Sequence, residues 1–191
     1  MKRVAVTGLG VISPVGNDVS TFWNALCSGT CGIGPITKFD ATDYPVKLAA
    51  EVRDFDPRQY MEKLDILHSD VYTHFAMAAA CQAVADSGIA GTLDAERVGV
   101  YIGSGIGGIA TFMTEHSKLL NRGPRRVSPY FIPMMIPNMA SSMIAIRYHF
   151  HGPAMPMVTA CASGTNAIGE ALRLIRHGYA DAMVAGGAEA T

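Results

Sequence analysis

The sequence predicts an α/β fold in which helices cover a mostly parallel sheet. Short apolar runs alternate with helical patterns along the 191 residues, an order typical of layered α/β domains. A hydrophobic content of 49% against 16% charged residues provides enough apolar surface for a substantial core. Glycine and proline separate the segments, so the elements can be assigned in order.

The N-terminal part of the sequence is predicted to form two strands and two helices. Residues 2–9 form an apolar run typical of a buried strand. A helix is predicted over 19–28, because good N-cap residues precede it and apolar side chains recur on one face. The loop-rich stretch 29–60 contains a strand candidate at 47–52, and a small-residue helix is predicted over 71–86.

The C-terminal part continues the alternation. Further strands are predicted at 98–103, before Ala160 and at 182–185, and further helices at 109–120, 138–149 and 165–176. The last strand is followed only by "GGAEAT". Because a parallel sheet needs cover on both faces, the whole chain is expected to be part of one larger domain.

Charge and hydropathy favour a cytoplasmic protein that does not bind nucleic acid. The net charge of −1 produces no global field for nucleic acid or for an anionic membrane. The N-terminus lacks a cleavage site of the A-x-A kind, which argues against a signal peptide. The most apolar window, 131–146, is broken by prolines and is shorter than a bilayer span, so no membrane insertion is expected.

The four cysteines predict neither a disulfide scaffold nor a metal site. They are too few and too irregularly spaced for a secreted framework, which favours a reducing compartment. Cys27 and Cys31 have no second ligand pair at zinc-site spacing. Cys27 and Cys81 lie in helical patterns and are expected in the core.

No cofactor is predicted either. "GLGVISPVG" has Ser13 where a dinucleotide fingerprint needs its third glycine, and "GSGIGG" lacks a suitably placed acidic residue.

Cys161 stands where a strand passes into a helix, in "VTACASGTNAIGEALRLIRHG". A helix N-terminus presents unpaired N–H groups, which stabilise a thiolate and also an oxyanion formed when sulfur attacks a carbonyl. Small neighbours leave the sulfur open to a substrate. From spacing alone, a small buried residue that caps the helix is an equal alternative. The hydrolase elbow G-x-C-x-G is not matched, because Thr159 occupies its first position.

Five segments together resemble one family. "RVAVTGLGVISPVG", "GSGIGG", "SPYFIPMMIPNMA", "VTACASGTNAIGEA" and "DAMVAGGAEA" are similar to the β-ketoacyl-[acyl-carrier-protein] synthases of fatty-acid synthesis, KAS II type, in the thiolase-like superfamily. The match runs in the family's order from Arg3 to Ala190. It implies the thiolase-like αβαβα fold, of which residues 1–191 would supply most of the N-terminal half.

The resemblance implies a reaction and its residues. Cys161 matches the cysteine that accepts an acyl chain from acyl carrier protein, before a decarboxylative Claisen condensation with malonyl-carrier protein. Ile106 and Phe131 match acyl-pocket positions, Phe131 near the interface of a homodimer. Arg125 and Arg126 match a basic pair that contacts the carrier protein. Ordinary core packing and a solvated loop are the respective alternatives.

The chain also departs from the family pattern. The family's two catalytic histidines, its lysine and its second oxyanion donor lie in a C-terminal half that has no counterpart here. None of the six histidines present is predicted to be catalytic. Leu67 and His68 stand where the family usually has basic residues, which leaves the arginine pair as the better carrier-protein contact.

Two other functions remain open. A non-catalytic partner resembling a chain-length factor typically lacks the nucleophile, so Cys161 counts against it. An aromatic polyketide ketosynthase has the same chemistry, and the sequence discriminates it only weakly from a fatty-acid enzyme.

Overall fold

A computed structural model describes residues 3–191. Its helices are α1 (Val19–Cys27), α2 (Lys63–Leu67), α3 (Val71–Ser87), α4 (Ile109–Arg122), α5 (Phe131–Met135), α6 (Met139–Tyr148) and α7 (Ser163–His177). Its strands are β1 (Gly34–Pro35), β2 (Leu48–Ala49), β3 (Val98–Gly103), β4 (Ala154–Met157) and β5 (Ala182–Gly187). The predicted helices and the three longer strands are confirmed, with ends that differ by a few residues.

The main sheet is parallel and has β3 at its centre. Strand β4 pairs with one edge of β3, with Val100 opposite Ala154, and β5 pairs with the other edge, with Val98 opposite Ala182. The carboxyl ends of the three strands therefore meet at one edge of the sheet. Strands β1 and β2 form a separate short antiparallel pair.

Helices cover both faces of β3. Val98, Val100 and Ile102 alternate along the strand and pack in the core with residues of α3 and α6, among them the fully buried Tyr72 and Ile144. Helix α7 packs on the sheet as well, and contacts β3 at Gly103 on the opposite face. The α/β layering predicted from the sequence is confirmed.

Helix ends follow the chemistry of their capping residues. The carboxylates of Asp18 and Asp70 accept backbone N–H bonds at the starts of α1 and α3. Gly88 and Gly178 end α3 and α7 with φ of 65° and 80°, a left-handed conformation that glycine adopts without steric cost.

The predicted strand at 2–9 is wrong for the residues described. Lys2 lies outside them, and Arg3 to Leu9 belong to no strand or helix. The side chain of Val6 is 81% exposed. The Leu9 N–H instead donates to Asp86 at 3.0 Å, and the Val11 N–H donates to Gln82 at 3.0 Å. The segment is thus bound to α3 by side chains, because no neighbouring strand offers a ladder of hydrogen bonds.

Among residues 3–191 no helix combines the length and the apolar character needed to cross a bilayer.

Candidate active site

Three loops meet where the parallel strands end. Residues 104–108 follow β3, residues 158–162 follow β4 and residues 188–191 follow β5. Ligands of open α/β sheets bind at this edge, beyond the carboxyl ends of the strands. Cys161 lies in the second of these loops.

The turn that carries Cys161 is held by its neighbours. Ala160 has φ of 52°, a left-handed conformation that is strained for any residue with a Cβ. The Ser163 hydroxyl accepts from the Thr159 N–H at 2.9 Å and donates to the Ala160 carbonyl oxygen at 2.6 Å. The Asn166 amide donates to the Thr159 hydroxyl at 2.7 Å. These bonds fix the strand-to-helix turn and leave Cys161 exposed.

Cys161 precedes the first residue of α7 by two positions. The helix begins at Ser163, two residues earlier than predicted, and its N-cap residue Ala162 makes no side-chain capping bond. Cys161 lies in a 3-10 turn, Ala160–Ala162, that leads directly into α7, and the Ser163 N–H donates to the Ala160 carbonyl oxygen. Ala162 offers no side-chain acceptor to the N–H groups that follow, and the positive end of the helix dipole attracts an anion. This arrangement provides the helix start that the sequence predicted beside the sulfur.

Cys161 and Ile106 lie in one cleft. The cleft has a volume of about 800 Å³ and opens to solvent. Its lining comes from the ends of β3 and β5, from the Cys161 turn and from the first turns of α7, which contribute Ile106, Ala160, Cys161, Ile168 and Glu189 among others. An apolar side chain and a thiol on the same cleft suit a substrate with a hydrocarbon chain and an electrophilic carbon.

A carboxylate holds the loop that carries Ile106. Glu189 accepts from the Gly105 N–H at 2.7 Å and from the Ser104 hydroxyl at 3.2 Å. The Ser104 hydroxyl in turn accepts from the Gly107 N–H at 2.9 Å. Sequence reasoning missed Glu189, Ser104 and Ser163. The one signal for Glu189 was its place as the only acidic residue in "DAMVAGGAEA" after Asp181.

Two glycines of "GSGIGG" are required by close approach. A Cβ on Gly103 would lie 2.4 Å from the carbonyl group of Ser163, so β3 could not lie so near the start of α7. Gly107 has φ of 72°, and a Cβ there would lie 2.5 Å from the Met135 carbonyl oxygen. The Gly108 N–H also donates to Met135 at 2.8 Å. The loop after β3 and the "FIPMMIPNM" segment are thus in direct contact.

The other predicted site residues lie outside the cleft lining. Phe131 begins α5, with its ring centroid 6.2 Å from that of Phe112. Arg125 and Arg126 are exposed in a 3-10 turn just beyond α4. Buried Glu115 accepts from the Ser128 N–H at 2.7 Å, which fastens the loop after these arginines to α4.

No histidine of the described chain lines the cleft. His74 is buried and bonds through Nε2 to the Ile66 carbonyl oxygen at 3.2 Å and to Ser69 at 3.1 Å. Burial lowers the pKa of His74, because desolvation disfavours the charged ring. Its role is structural.

The expectation that Cys27 lies in the core is wrong. Cys27 is exposed at the last position of α1, while Cys81 is half-buried. Within residues 3–191 no three His, Cys, Asp or Glu side chains are grouped so as to hold a metal ion.

Comparison with known proteins decides the family. The family model described as the N-terminal domain of β-ketoacyl synthases matches residues 1–191. The chain belongs to this family. It is 51% identical, over 98% of its length, to a Coxiella burnetii protein named 3-oxoacyl-[acyl-carrier-protein] synthase 2, of which it covers 46%. The chain therefore spans about half the length of the curated relatives it matches.

Solved structures of ketosynthases share the fold. The ishigamide ketosynthase/chain length factor superposes with a TM-score of 0.90 at 30% identity, over 97% of this chain and 47% of that one. A type II polyketide acyl-carrier protein in complex with its ketosynthase gives a TM-score of 0.82 at 26% identity, over 98% and 50%. The predicted thiolase-like fold is confirmed, and the β-ketoacyl synthase chain supplies about half of such a structure.

Proposed function

We propose that this chain is the N-terminal part of a β-ketoacyl-[acyl-carrier-protein] synthase of fatty-acid elongation, in which Cys161 accepts the acyl group. The observation that carries the proposal is the position of Cys161, exposed on a strained turn that leads into the start of α7 and in the cleft that Ile106 lines. Family membership and the name of the Coxiella burnetii relative support the same reaction.

The first half-reaction uses groups of this chain. The Cys161 sulfur attacks the thioester carbonyl of an acylated carrier protein, and negative charge collects on the carbonyl oxygen. N–H groups at the start of α7 stabilise that charge. When the intermediate collapses, the carrier thiolate leaves and takes up a proton, and the acyl group stays on Cys161 as a new thioester.

The second half-reaction needs groups beyond this chain. Malonyl-carrier protein loses carbon dioxide, and the resulting carbanion attacks the acyl carbon on Cys161, so that the chain grows by two carbons and the thiolate is released. No described histidine lies in the cleft to assist the decarboxylation. We therefore assign residues 1–191 to the N-terminal part of the domain, with the remaining catalytic groups supplied by the other half.

The acyl chain is proposed to extend along Ile106. Phe131, which packs on Phe112 outside the cleft, is proposed to continue the apolar pocket where a second copy binds in a homodimer. Arg125 and Arg126 are exposed and carry positive charge, and we propose that they contact the acidic surface of the carrier protein. The reaction is placed in the cytoplasm.

A polyketide ketosynthase is the second candidate. The likeness to a ketosynthase that is solved with a polyketide carrier protein favours it, while the 51% identity to the Coxiella burnetii protein favours the fatty-acid reaction. A chain-length factor is disfavoured by Cys161. Products formed from malonyl-carrier protein and primers of different lengths distinguish the two: one round of extension supports elongation, and repeated condensation without reduction supports the polyketide reaction.

Acylation of Cys161 is the direct test. The full-length protein that contains this chain is incubated with radiolabelled acyl-carrier protein, and the adduct is mapped by mass spectrometry. We expect label on Cys161, loss of label in Cys161→Ala, and full labelling in Cys27→Ala, the control in which another exposed thiol is removed. Label on a different residue, or none on any, overturns the proposal.

A further inference from the structure

We propose that Glu189 is a positioning residue that fixes Ile106 in the wall of the cleft and so determines which acyl chains Cys161 accepts. This inference rests on the proposed function, because it concerns the same cleft. Glu189 does not contact the sulfur turn through any hydrogen bond of the described chain. It acts through the loop after β3.

Glu189 holds the chain before Ile106 directly and the chain after Ile106 through Ser104. One carboxylate oxygen accepts from the N–H of Gly105 at 2.7 Å, and the other accepts from the Ser104 hydroxyl at 3.2 Å. That hydroxyl also accepts from the Gly107 N–H at 2.9 Å, so the peptide that follows Ile106 and the Ser104–Gly105 peptide, one residue before it, are both held. We name this set of residues, Ser104, Gly105, Gly107 and Glu189, the Glu189 tether.

Side-chain packing alone does not hold Ile106. The side chain is 53% exposed. Its neighbours Gly105, Gly107 and Gly108 have no side chains, and glycine leaves a loop the widest choice of backbone conformations. A charge-assisted bond to a carboxylate is among the stronger restraints available to such a loop. The tether, together with the Gly108 N–H bond to the Met135 carbonyl oxygen, therefore sets where Ile106 lies.

The position of Ile106 bears on substrate choice rather than on the chemistry at sulfur. Each additional methylene of an acyl chain gains free energy only where it contacts an apolar wall. The Cys161 turn is held separately, by Ser163 and Asn166. A free loop should thus weaken discrimination between acyl chains and leave the reactivity of the thiol unchanged.

The test compares two acyl donors in the full-length protein. Initial rates of Cys161 acylation are measured with butyryl- and lauroyl-carrier protein. In Glu189→Ala we expect the lauroyl-to-butyryl ratio of rates to fall about tenfold, the equivalent of roughly 1.4 kcal/mol. Alkylation of Cys161 by iodoacetamide should keep its rate. Glu96→Ala removes an exposed carboxylate that pairs with His151 at 3.1 Å, and it should change neither measurement.

A double-mutant cycle separates positioning from a general loss of structure. Ile106→Ala should lower the same ratio. Adding Glu189→Ala should lower it no further, because both changes remove the same contact between Ile106 and the acyl chain. Glu189→Gln keeps an acceptor for the Gly105 N–H and should restore part of the ratio. Should Glu189→Ala fail to fold, Ser104→Ala breaks the link to Gly107 and is expected to shift the ratio in the same direction.

The outcomes distinguish this inference from the proposed function. If the unmodified protein is not acylated on Cys161, the proposed function fails and the inference fails with it. If acylation is normal but the ratio is unchanged in Glu189→Ala and Ser104→Ala, or if the effects of Ile106→Ala and Glu189→Ala add, only the inference is overturned.

Discussion

Asp70 caps its own helix and also binds the first turn of another. Its carboxylate lies at the N-cap of α3, where one oxygen faces the Tyr72 N–H at 3.4 Å. The other oxygen accepts from both the N–H and the hydroxyl of Thr111, at 3.0 and 2.5 Å. Helix α4 has no side-chain cap of its own, since Gly108 stands at its N-cap. Asp70 therefore joins α3 to the helix that follows the Ile106 loop.

Asp70→Ala should destabilise the protein by roughly 1.5–3 kcal/mol, because Asp70 is only 4% exposed and the change leaves the Thr111 donors buried without an acceptor. The midpoint of urea unfolding measures the effect. Asp43→Ala, at an exposed aspartate, is the matched control and should shift the midpoint little. Equal shifts in both variants would show that the bonds to Thr111 contribute nothing.

Ala160→Gly should stabilise the protein and slow acylation. Glycine adopts the left-handed conformation at φ of 52° without the cost of roughly 1–2 kcal/mol that a Cβ imposes, although part of that gain is lost to greater freedom of the unfolded chain. The looser turn should hold Cys161 less well. Thermal unfolding and the acylation rate are measured together.

Ala162→Gly is the control for that experiment. Ala162 has φ of −88° and ψ of −1°, so glycine there relieves no strain and should destabilise by about 0.5–1 kcal/mol. A loss of stability in Ala160→Gly as large as in Ala162→Gly would contradict a strained turn.

Glu115→Gln should release the loop that carries Arg125 and Arg126. Glu115 accepts from Lys118 and from the Ser128 N–H, and these hydrogen bonds, in that order, hold the pKa of its carboxyl below the ordinary value. The amide keeps the shape but loses the charge, so that its hydrogen bond from the Ser128 N–H is weaker than the bond to the carboxylate. We expect faster tryptic cleavage after the two arginines, followed by mass spectrometry.

The matched control for Glu115→Gln is Glu170→Gln. Glu170 also pairs with a cation three residues on, Arg173 at 2.9 Å, but both side chains are substantially exposed. Its loss should leave cleavage after Arg125 and Arg126 unchanged. Unchanged cleavage in Glu115→Gln as well would mean that Glu115 does not hold the loop.

The start of α1 should open in acid. Hydrogen bonds from Ser20 and Thr21 lower the pKa of Asp18 from 3.8 to about 2. Because the folded pKa lies below the unfolded value, the cap stabilises α1 fully above pH 3.8 and is lost as the pH falls toward 2. NMR titration of the Thr21 amide proton follows this change, which should vanish in Asp18→Asn and persist in Asp43→Asn. A Thr21 midpoint near 4 would contradict the cap.

Local rules predicted much of the fold. Strand β3 and helix α7 were found because each follows from a pattern within a few neighbouring residues, and the junction that places Cys161 beside a helix start lies in one continuous segment. The strand predicted at 2–9 is absent from the described residues, because an apolar run forms a strand only where another strand pairs with it. Whether such a partner is present depends on the tertiary structure.

The cleft was predicted only in part for a related reason. Cys161 was identified from the strand-to-helix junction and Ile106 from family resemblance, whereas Glu189 bonds to a loop 84 residues earlier in the chain. No short-range pattern signals a hydrogen bond over that separation. Ser163 is close in sequence to its partner, since its hydroxyl donates to the carbonyl oxygen of Ala160. Sequence propensity, however, gives no reason to expect the left-handed conformation of that alanine.

The pairing of β3 with β5 also orders events during synthesis. Once α7 has been synthesised, Cys161 and its turn are complete. Strand β3 still lacks its neighbour β5, because Val98 pairs with Ala182. The Glu189 tether forms only once residue 189 has been synthesised. If Cys161 and Glu189 act as proposed, a nascent polypeptide exposes the acyl-accepting thiol before the residue that selects acyl chains has been synthesised.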